Sequence, residues 1–277
     1  MKLHLWKQKI TKTALSIAAA TALIALGTVS CTQNRELLVT EIGISPPKRP
    51  VSKPSKAMEF YIQGQYKYIR GDSQGAIAAF SQSINLNPNY APAYNSRGLV
   101  YFDIGEKQQA IADYSQAIRL NPNNAEFYNN RGNARAALGE MKTAMEDYNQ
   151  AIRLAPSYAE AYNNRGNARA AVGDKNGAIG DYDQAIRFHP LYAAAYNNRG
   201  NARAALGDKQ RAIADYDRAI QLSPKFAAAY NNRGNARATL GDKQRAIADY
   251  EQAAKIFQQQ NNQLLYQQVM KNMKELQ

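Results

Sequence analysis

The sequence predicts an all-α solenoid: six stacked two-helix units of 34 residues, closed by a C-terminal capping helix. Three observations predict it. The phrase AYNNRGNARAALGD at 195–208 recurs at 161–174 with one Leu changed to Val, and at 229–242 with one Ala changed to Thr. Prolines at 88, 122, 156, 190 and 224 keep the same 34-residue spacing. Each follows an apolar run such as AIRLNP or AIQLSP, and a proline just past a helix end stops the helix. A fixed period of this length marks a linear array whose units bury their apolar faces against neighbours and need no single central core.

Counting back from the prolines sets the units at 57–90, 91–124, 125–158, 159–192, 193–226 and 227–260, the last with Gln258 in place of proline. End units of an array are expected to be atypical. The third unit shows the internal pattern: aromatics at the fourth and twenty-fourth places (Tyr128, Tyr148), Gly at the eighth and fifteenth (Gly132, Gly139) and Ala at the twentieth (Ala144). The fifteenth-place Gly ends helix A and opens the turn into helix B. The eighth and twentieth places are small where the two helices must approach closely, and the aromatics fill the wedge between them. Helices of roughly a dozen residues are marginal alone, so neighbour contacts must hold each unit. After the last unit, within 261–277, Leu265, Val269, Met273 and Leu276 share one helical face, which predicts a capping helix over Leu264–Leu276.

This pattern resembles the tetratricopeptide repeat (TPR): an aromatic at four, Gly or Ala at eight, Ala at twenty, an aromatic at twenty-four, Ala at twenty-seven and Pro at thirty-two. The likeness covers 57–260 in six copies that agree in phase. It implies a right-handed superhelical solenoid whose concave groove is lined by helix A. It also implies a non-enzymatic scaffold that binds other proteins through extended segments.

Two polar families in helix A point in different directions. Arg at the seventh place (Arg97, Arg131, Arg165, Arg199, Arg233) always accompanies Asp at the twenty-third (Asp113, Asp147, Asp181, Asp215, Asp249), and the first unit has neither, carrying Gln63 and Ala79. The correlation predicts a partly buried Arg–Asp pair between helices A and B in units two to six. The eleventh-place arginines (Arg135, Arg169, Arg203, Arg237) show no such correlation. They are expected to pack their stems and leave their head groups solvated.

The sixth- and ninth-place asparagines (Asn130, Asn133, Asn164, Asn167, Asn198, Asn201, Asn232, Asn235) fall where the resemblance sets the groove. A carboxamide both donates and accepts, so a row of them can bond an extended peptide backbone whatever its side chains. The row resembles the asparagine ladder of TPR proteins that hold extended peptides. The bland alternative is that they solvate an idle groove and recur because the unit was duplicated. A chaperone-type carboxylate clamp, by the same resemblance, needs Lys or Arg where the fifth and sixth places here carry Asn. Ala136, Ala170, Ala204 and Ala238 leave room beside the ladder. At one end of the groove Met58, Tyr61, Ile62, Tyr68, Leu99 and Phe102 form an apolar patch, suited to a partner's hydrophobic anchor or to the segment ELLVTEIGI at 36–44 folding back.

The N-terminus reads as an address. Lys2, Lys7, Lys9 and Lys12 precede an uncharged run from Thr13 to Val29 that ends in small residues just before Cys31, the pattern of an export signal over 1–31. Thr28-Val29-Ser30-Cys31 resembles the lipobox of bacterial lipoproteins, with Thr28 where that family usually has Leu. The resemblance implies lipidation at Cys31 and anchoring to a membrane of a bacterial cell envelope, on its extracytoplasmic side. A secreted or periplasmic protein and an uncleaved anchor are the alternatives. Residues 32–56 read as a Pro-rich tether.

Composition narrows the function classes. One cysteine (Cys31) and two histidines (His4 and His189) supply no disulfide, no multi-cysteine metal site and no nucleophile constellation, so no catalytic residue, cofactor or metal is expected. Of the net charge of +13, more than half sits in the first 56 residues. That leaves the repeats without the basic stripe that a helical-repeat nucleic-acid-binding protein, the alternative reading, would want.

Overall fold

The structure, a computed structural model, describes residues 55–276; the stretch predicted as an export signal, Cys31 and the predicted Pro-rich tether up to 54 lie outside them. The described residues form thirteen helices in consecutive helix-turn-helix pairs, with no strand among them. They fall into two compact units divided after Gly105. The first holds α1 (Lys56–Ile69), α2 (Ser73–Leu86) and α3 (Ala91–Asp103). The second holds α4 (Lys107–Leu120), α5 (Ala125–Ala137), α6 (Met141–Leu154), α7 (Ala159–Ala171), α8 (Lys175–Phe188), α9 (Ala193–Ala205), α10 (Lys209–Leu222), α11 (Ala227–Thr239), α12 (Lys243–Gln259) and α13 (Gln263–Leu276). None of these helices is long and apolar enough to cross a membrane.

Each turn between paired helices is written by two adjacent residues. The fifteenth-place Gly takes a left-handed φ, +85° at Gly139 and +91° at Gly207, which an L side chain rarely adopts. The chain then folds back so that the Glu140 N–H bonds the Arg135 carbonyl at 3.0 Å. At the sixteenth place Asp174, Asp208 and Asp242 cap helix B by accepting the backbone N–H of Gly177, Arg211 and Arg245. Glu106 and Glu140 hold the same place without a side-chain cap.

Inside each repeat the eighth-place Gly lets the twenty-fourth-place ring lie against the backbone of helix A. A Cβ on Gly200 would stand 2.6 Å from Cε1 of Tyr216, so only hydrogen fits there. Within the second unit the twentieth-place alanines, such as Ala144 and Ala178, are fully buried, and Tyr148, Tyr182 and Tyr216 each retain only 2% exposure. The tenth-place Ala of the following repeat closes the wedge: Ala168 lies in one cluster with Tyr148, and Ala202 with Tyr182. Helix A also touches helix A of the next repeat, α5 on α7, α7 on α9 and α9 on α11.

Because Gln258 replaces proline, α12 runs on for 17 residues, whereas α10 stops after 14. The capping helix α13 buries Val269 against Tyr250, Ile256 and Phe257, with Leu265, Met273 and Leu276 beside it. Tyr266 and Met270 join that contact, widening the face the sequence predicts.

In the first unit Phe80 takes the wedge position over Gly64. Tyr61 packs on Phe80 and, edge to face, on Tyr90. The buried Ser83 hydroxyl donates to the Ala57 carbonyl at 2.7 Å.

Candidate groove of the second unit

The polar residues of helix A are held from both sides, and the arginines show how. Arg131, Arg165, Arg199 and Arg233 each reach the twenty-third-place Asp of their own repeat at 2.5–2.7 Å. The Asp side chains keep only 3–4% exposure and the Arg side chains 15–17%, so each pair joins a buried carboxylate to a partly buried arginine. Arg97 and Asp113, though of one 34-residue repeat, fall on either side of the division after Gly105. Each seventh-place guanidinium also lies over the fourth-place ring of its own helix, 5.4 Å from the centroid at Tyr196. Its remaining nitrogen crosses to helix B of the preceding repeat, where Arg199 meets Asp183 and Arg233 meets Asp217, both at 2.6 Å. Burial would lower the Arg199 pKa, but the bonds to Asp215 and Asp183 outweigh it and hold the pKa above its ordinary value.

The eleventh-place arginines correct the expectation of solvated head groups. Arg135, Arg169, Arg203 and Arg237 each donate from Nη1 to the second oxygen of the same Asp, at 2.8–2.9 Å. Each aspartate is thus a hub for two arginines one helical turn apart. The sequence obscured this at its early units: Lys67 holds the eleventh place beside Ala79, and Tyr101 holds it in the unit of Asp113. The seventh-place correlation alone survived.

The asparagines divide into two sets by what they bond. At the sixth place Asn164, Asn198 and Asn232 donate from Nδ2 to the fifth-place Oδ1 of the preceding repeat, Asn129, Asn163 and Asn197, each at 3.0 Å. The fifth-place amides in turn donate to the sixth-place oxygen beside them, Asn163 to Asn164 at 3.4 Å and Asn197 to Asn198 at 3.3 Å. The result is a chain of amides running from repeat to repeat. Asn130 is buried, as are the fifth-place residues Asn129, Asn163 and Asn197. In the last repeat Asn231 Oδ1 is buried with no partner among the described residues.

At the ninth place Asn133, Asn167, Asn201 and Asn235 accept the hydroxyl of the twenty-fourth-place tyrosine of their own repeat, at 2.8–2.9 Å. Burial, and then the neighbouring aspartate charge, raises the pKa of Tyr148, Tyr182 and Tyr216, so the hydroxyl stays a donor. This fixes the ninth-place amide with its oxygen inward. Its NH2 is turned toward the groove, where Asn167, Asn201 and Asn235 are exposed.

Two cavities open on this face. One, about 250 Å³, is lined by Asn167, Ala170, Lys175, Tyr182, Asn198, Asn201, Ala202 and Ala205. The next, about 200 Å³, is lined by Asn201, Ala204, Lys209, Tyr216, Asn232, Asn235, Ala236 and Thr239. They share Asn201. The small residues Ala170 and Ala204 make the room the sequence predicts. Lys175 and Lys209, at the seventeenth place, are lining residues that sequence reasoning passed over, because that place lies on helix B.

In the first unit Met58, Tyr61, Tyr68, Leu99 and Phe102 are half-buried. Tyr68 donates its hydroxyl to Asp103 Oδ2 at 2.5 Å, and the Tyr90 hydroxyl to Met58 Sδ at 3.4 Å. The large apolar side chains exposed on α1 are Ile62, Tyr66 and Ile69.

Within the second unit these repeats form an α-solenoid of duplicated helix-turn-helix pairs with a polar groove. Family profiles described as TPR repeat match residues 59–105, 100–139, 132–173 and 200–241, and one described as tetratricopeptide repeat matches 227–260. The chain belongs to the tetratricopeptide repeat family. No curated protein matches it. Among solved structures, the crystal structure of MamA is 29% identical, covering 59% of this chain and 96% of that one with a TM-score of 0.53. The pilF protein of Pseudomonas aeruginosa shares the fold at 16% identity, covering 78% and 97% with a TM-score of 0.67. YrrB, described as a TPR protein with an unusual peptide-binding site, shares the fold at 22% identity, covering 62% and 89% with a TM-score of 0.51.

Proposed function

We propose that this chain is a non-catalytic scaffold that holds extended segments of partner proteins against the ninth-place face of its second unit. The observation that carries the reading is the pair of adjoining cavities that share Asn201, with amide donors held outward by buried tyrosines. A backbone laid along that face would offer carbonyl oxygens to a row of fixed N–H groups. Members of the family generally act as protein-interaction scaffolds, and the peptide-binding site described for YrrB agrees with this use of the fold. The sixth-place asparagines would contribute indirectly, by stitching the repeats that carry the ninth-place row.

The same reading sets the protein on the extracytoplasmic side of a bacterial envelope membrane, held by lipid on Cys31 and lifted by the Pro-rich segment, where it aids assembly of an envelope complex. Its support is the sequence of residues 1–56. Two acyl chains or more are needed for stable anchoring, which a lipoprotein cysteine would supply.

The test is affinity capture from cross-linked membranes, comparing the native chain with a variant carrying Asn133→Ala, Asn167→Ala, Asn201→Ala and Asn235→Ala. A partner lost from the variant, with helicity unchanged by circular dichroism, supports the groove. An identical partner set from both rejects it. Metabolic labelling with an alkyne fatty acid tests the anchor: label on the native chain and none on Cys31→Ser is expected, and an unlabelled native chain refutes it.

A further inference from the structure

Resting on the groove reading above, we infer that the segments held in repeats four to six are acidic, with carboxylates about three residues apart, one to each cavity. Three observations carry this.

The first is the polarity of the amides. Asn167 Oδ1 accepts both the Tyr182 hydroxyl at 2.9 Å and Asn198 Nδ2 at 3.1 Å, and Asn201 Oδ1 accepts the Tyr216 hydroxyl at 2.9 Å. The oxygens are used internally, so the ninth place presents donors. A surface of donors selects acceptors.

The second is charge. Each cavity has a lysine on its wall and no acidic residue in its lining. Lys209 Nζ donates to the Ala204 carbonyl at 2.7 Å and Lys175 Nζ to the Ala205 carbonyl at 3.2 Å, which fixes both ammonium groups at the C-terminal end of α9. An ammonium has three protons, so two remain for a ligand. The preceding acids are occupied: Asp174 caps Gly177 and pairs with Arg169, and Asp208 caps and pairs with Arg211.

The third is spacing. Neighbouring packed helices stand about 9 Å apart, and a peptide extended as polyproline II advances about 3.1 Å per residue and returns every third side chain to the same edge. Adjacent cavities therefore match side chains about three residues apart. Repeat three carries Met141 at the lysine place, so the acidic preference starts at repeat four.

The test uses the full chain and three peptides: (Asp-Ser-Ala)4, its isostere (Asn-Ser-Ala)4, and a peptide of the first composition with its four Asp residues contiguous. Affinities are measured by fluorescence anisotropy. The spaced Asp peptide should bind about five- to tenfold more tightly than the Asn peptide, the span expected of two part-exposed ion pairs, and more tightly than the contiguous one. In Lys175→Gln/Lys209→Gln the Asp and Asn peptides should bind within about twofold of each other. Equal affinity of both for the native chain, with both lost in Asn167→Ala/Asn201→Ala, would overturn the acidic preference and leave the groove reading standing. A preference for Asp that ignores spacing and survives loss of the lysines would reduce it to general attraction by a basic protein, which also overturns it. Binding of none of the peptides would overturn both readings.

Discussion

At Asp181 a single carboxylate, 2% exposed, holds two arginines: Nε and Nη2 of Arg165 and Nη1 of Arg169. Removing one partner of a buried pair leaves the other charge stranded, at a cost of about 3–5 kcal/mol. Asp181→Ala should therefore lower stability by about that amount, and Arg169→Ala, whose side chain is 32% exposed, by about 1 kcal/mol. Chemical denaturation of the two variants checks the ranking, and equal effects would contradict it. The amide chain makes a second comparison. Asn163→Ala takes away one of the two acceptors of Asn198 Nδ2, for a loss of about 0.5–1.5 kcal/mol. Asn231→Ala, at the same place in the last repeat, deletes an oxygen that already lacks a partner, and should be nearly neutral in the same denaturation assay. The buried tyrosines set the alkaline limit. Their folded pKa values lie above the ordinary value near 10, by burial first and the nearby aspartates second. The unfolded chain therefore binds fewer protons above pH ~10, and stability must fall as pH rises through that region. An alkaline titration followed by circular dichroism should show this, and Tyr182→Phe should make the fall shallower.

The helices and their turns were legible because the residues that set them are few and periodic. The fifteenth-place Gly and the proline after helix B fix the ends of each helix whatever the rest of the repeat does. The two glycines of each repeat nevertheless work by different physics. At Gly207, φ is +91° and a Cβ would meet nothing within 4 Å, so Gly207→Ala costs only backbone strain, about 1–2 kcal/mol. At Gly200 the helix is ordinary but Tyr216 is in the way, so Gly200→Ala must displace a buried ring that also anchors Asn201. Overpacking of this kind costs about 1–3 kcal/mol. The distinguishing readout is tyrosine near-ultraviolet circular dichroism, which should change in Gly200→Ala and stay native in Gly207→Ala. The site was less legible than the helices. The Arg169–Asp181 bond could not be read by correlation, because the eleventh place varies in exactly the units where the Asp varies or begins. Lys175 and Lys209 were missed because a helix B residue reaches the groove only through the turn geometry.

Within the second unit, repeats are joined by three kinds of tie: the alanine against the preceding tyrosine, the seventh-place arginine to the preceding helix B, and the amide chain. Stability in such arrays is a sum of units and neighbour interfaces. That explains why one polar phrase recurs nearly unchanged: almost every polar letter in it makes a bond, and those of Asn197, Asn198 and Arg199 also reach a neighbouring copy. The ninth-place amide is the letter whose donor is left over, and the proposed function rests on it. The most direct test is site-specific photo-cross-linking in intact cells, with the photoreactive residue at Ala170 or Ala204 in the cavities, or at Arg187 or Gln221, exposed on helix B. The account predicts adducts to one shared protein partner from both cavity positions and none from the helix B positions. Adducts formed only from Arg187 or Gln221 would move recognition to the other face and contradict it.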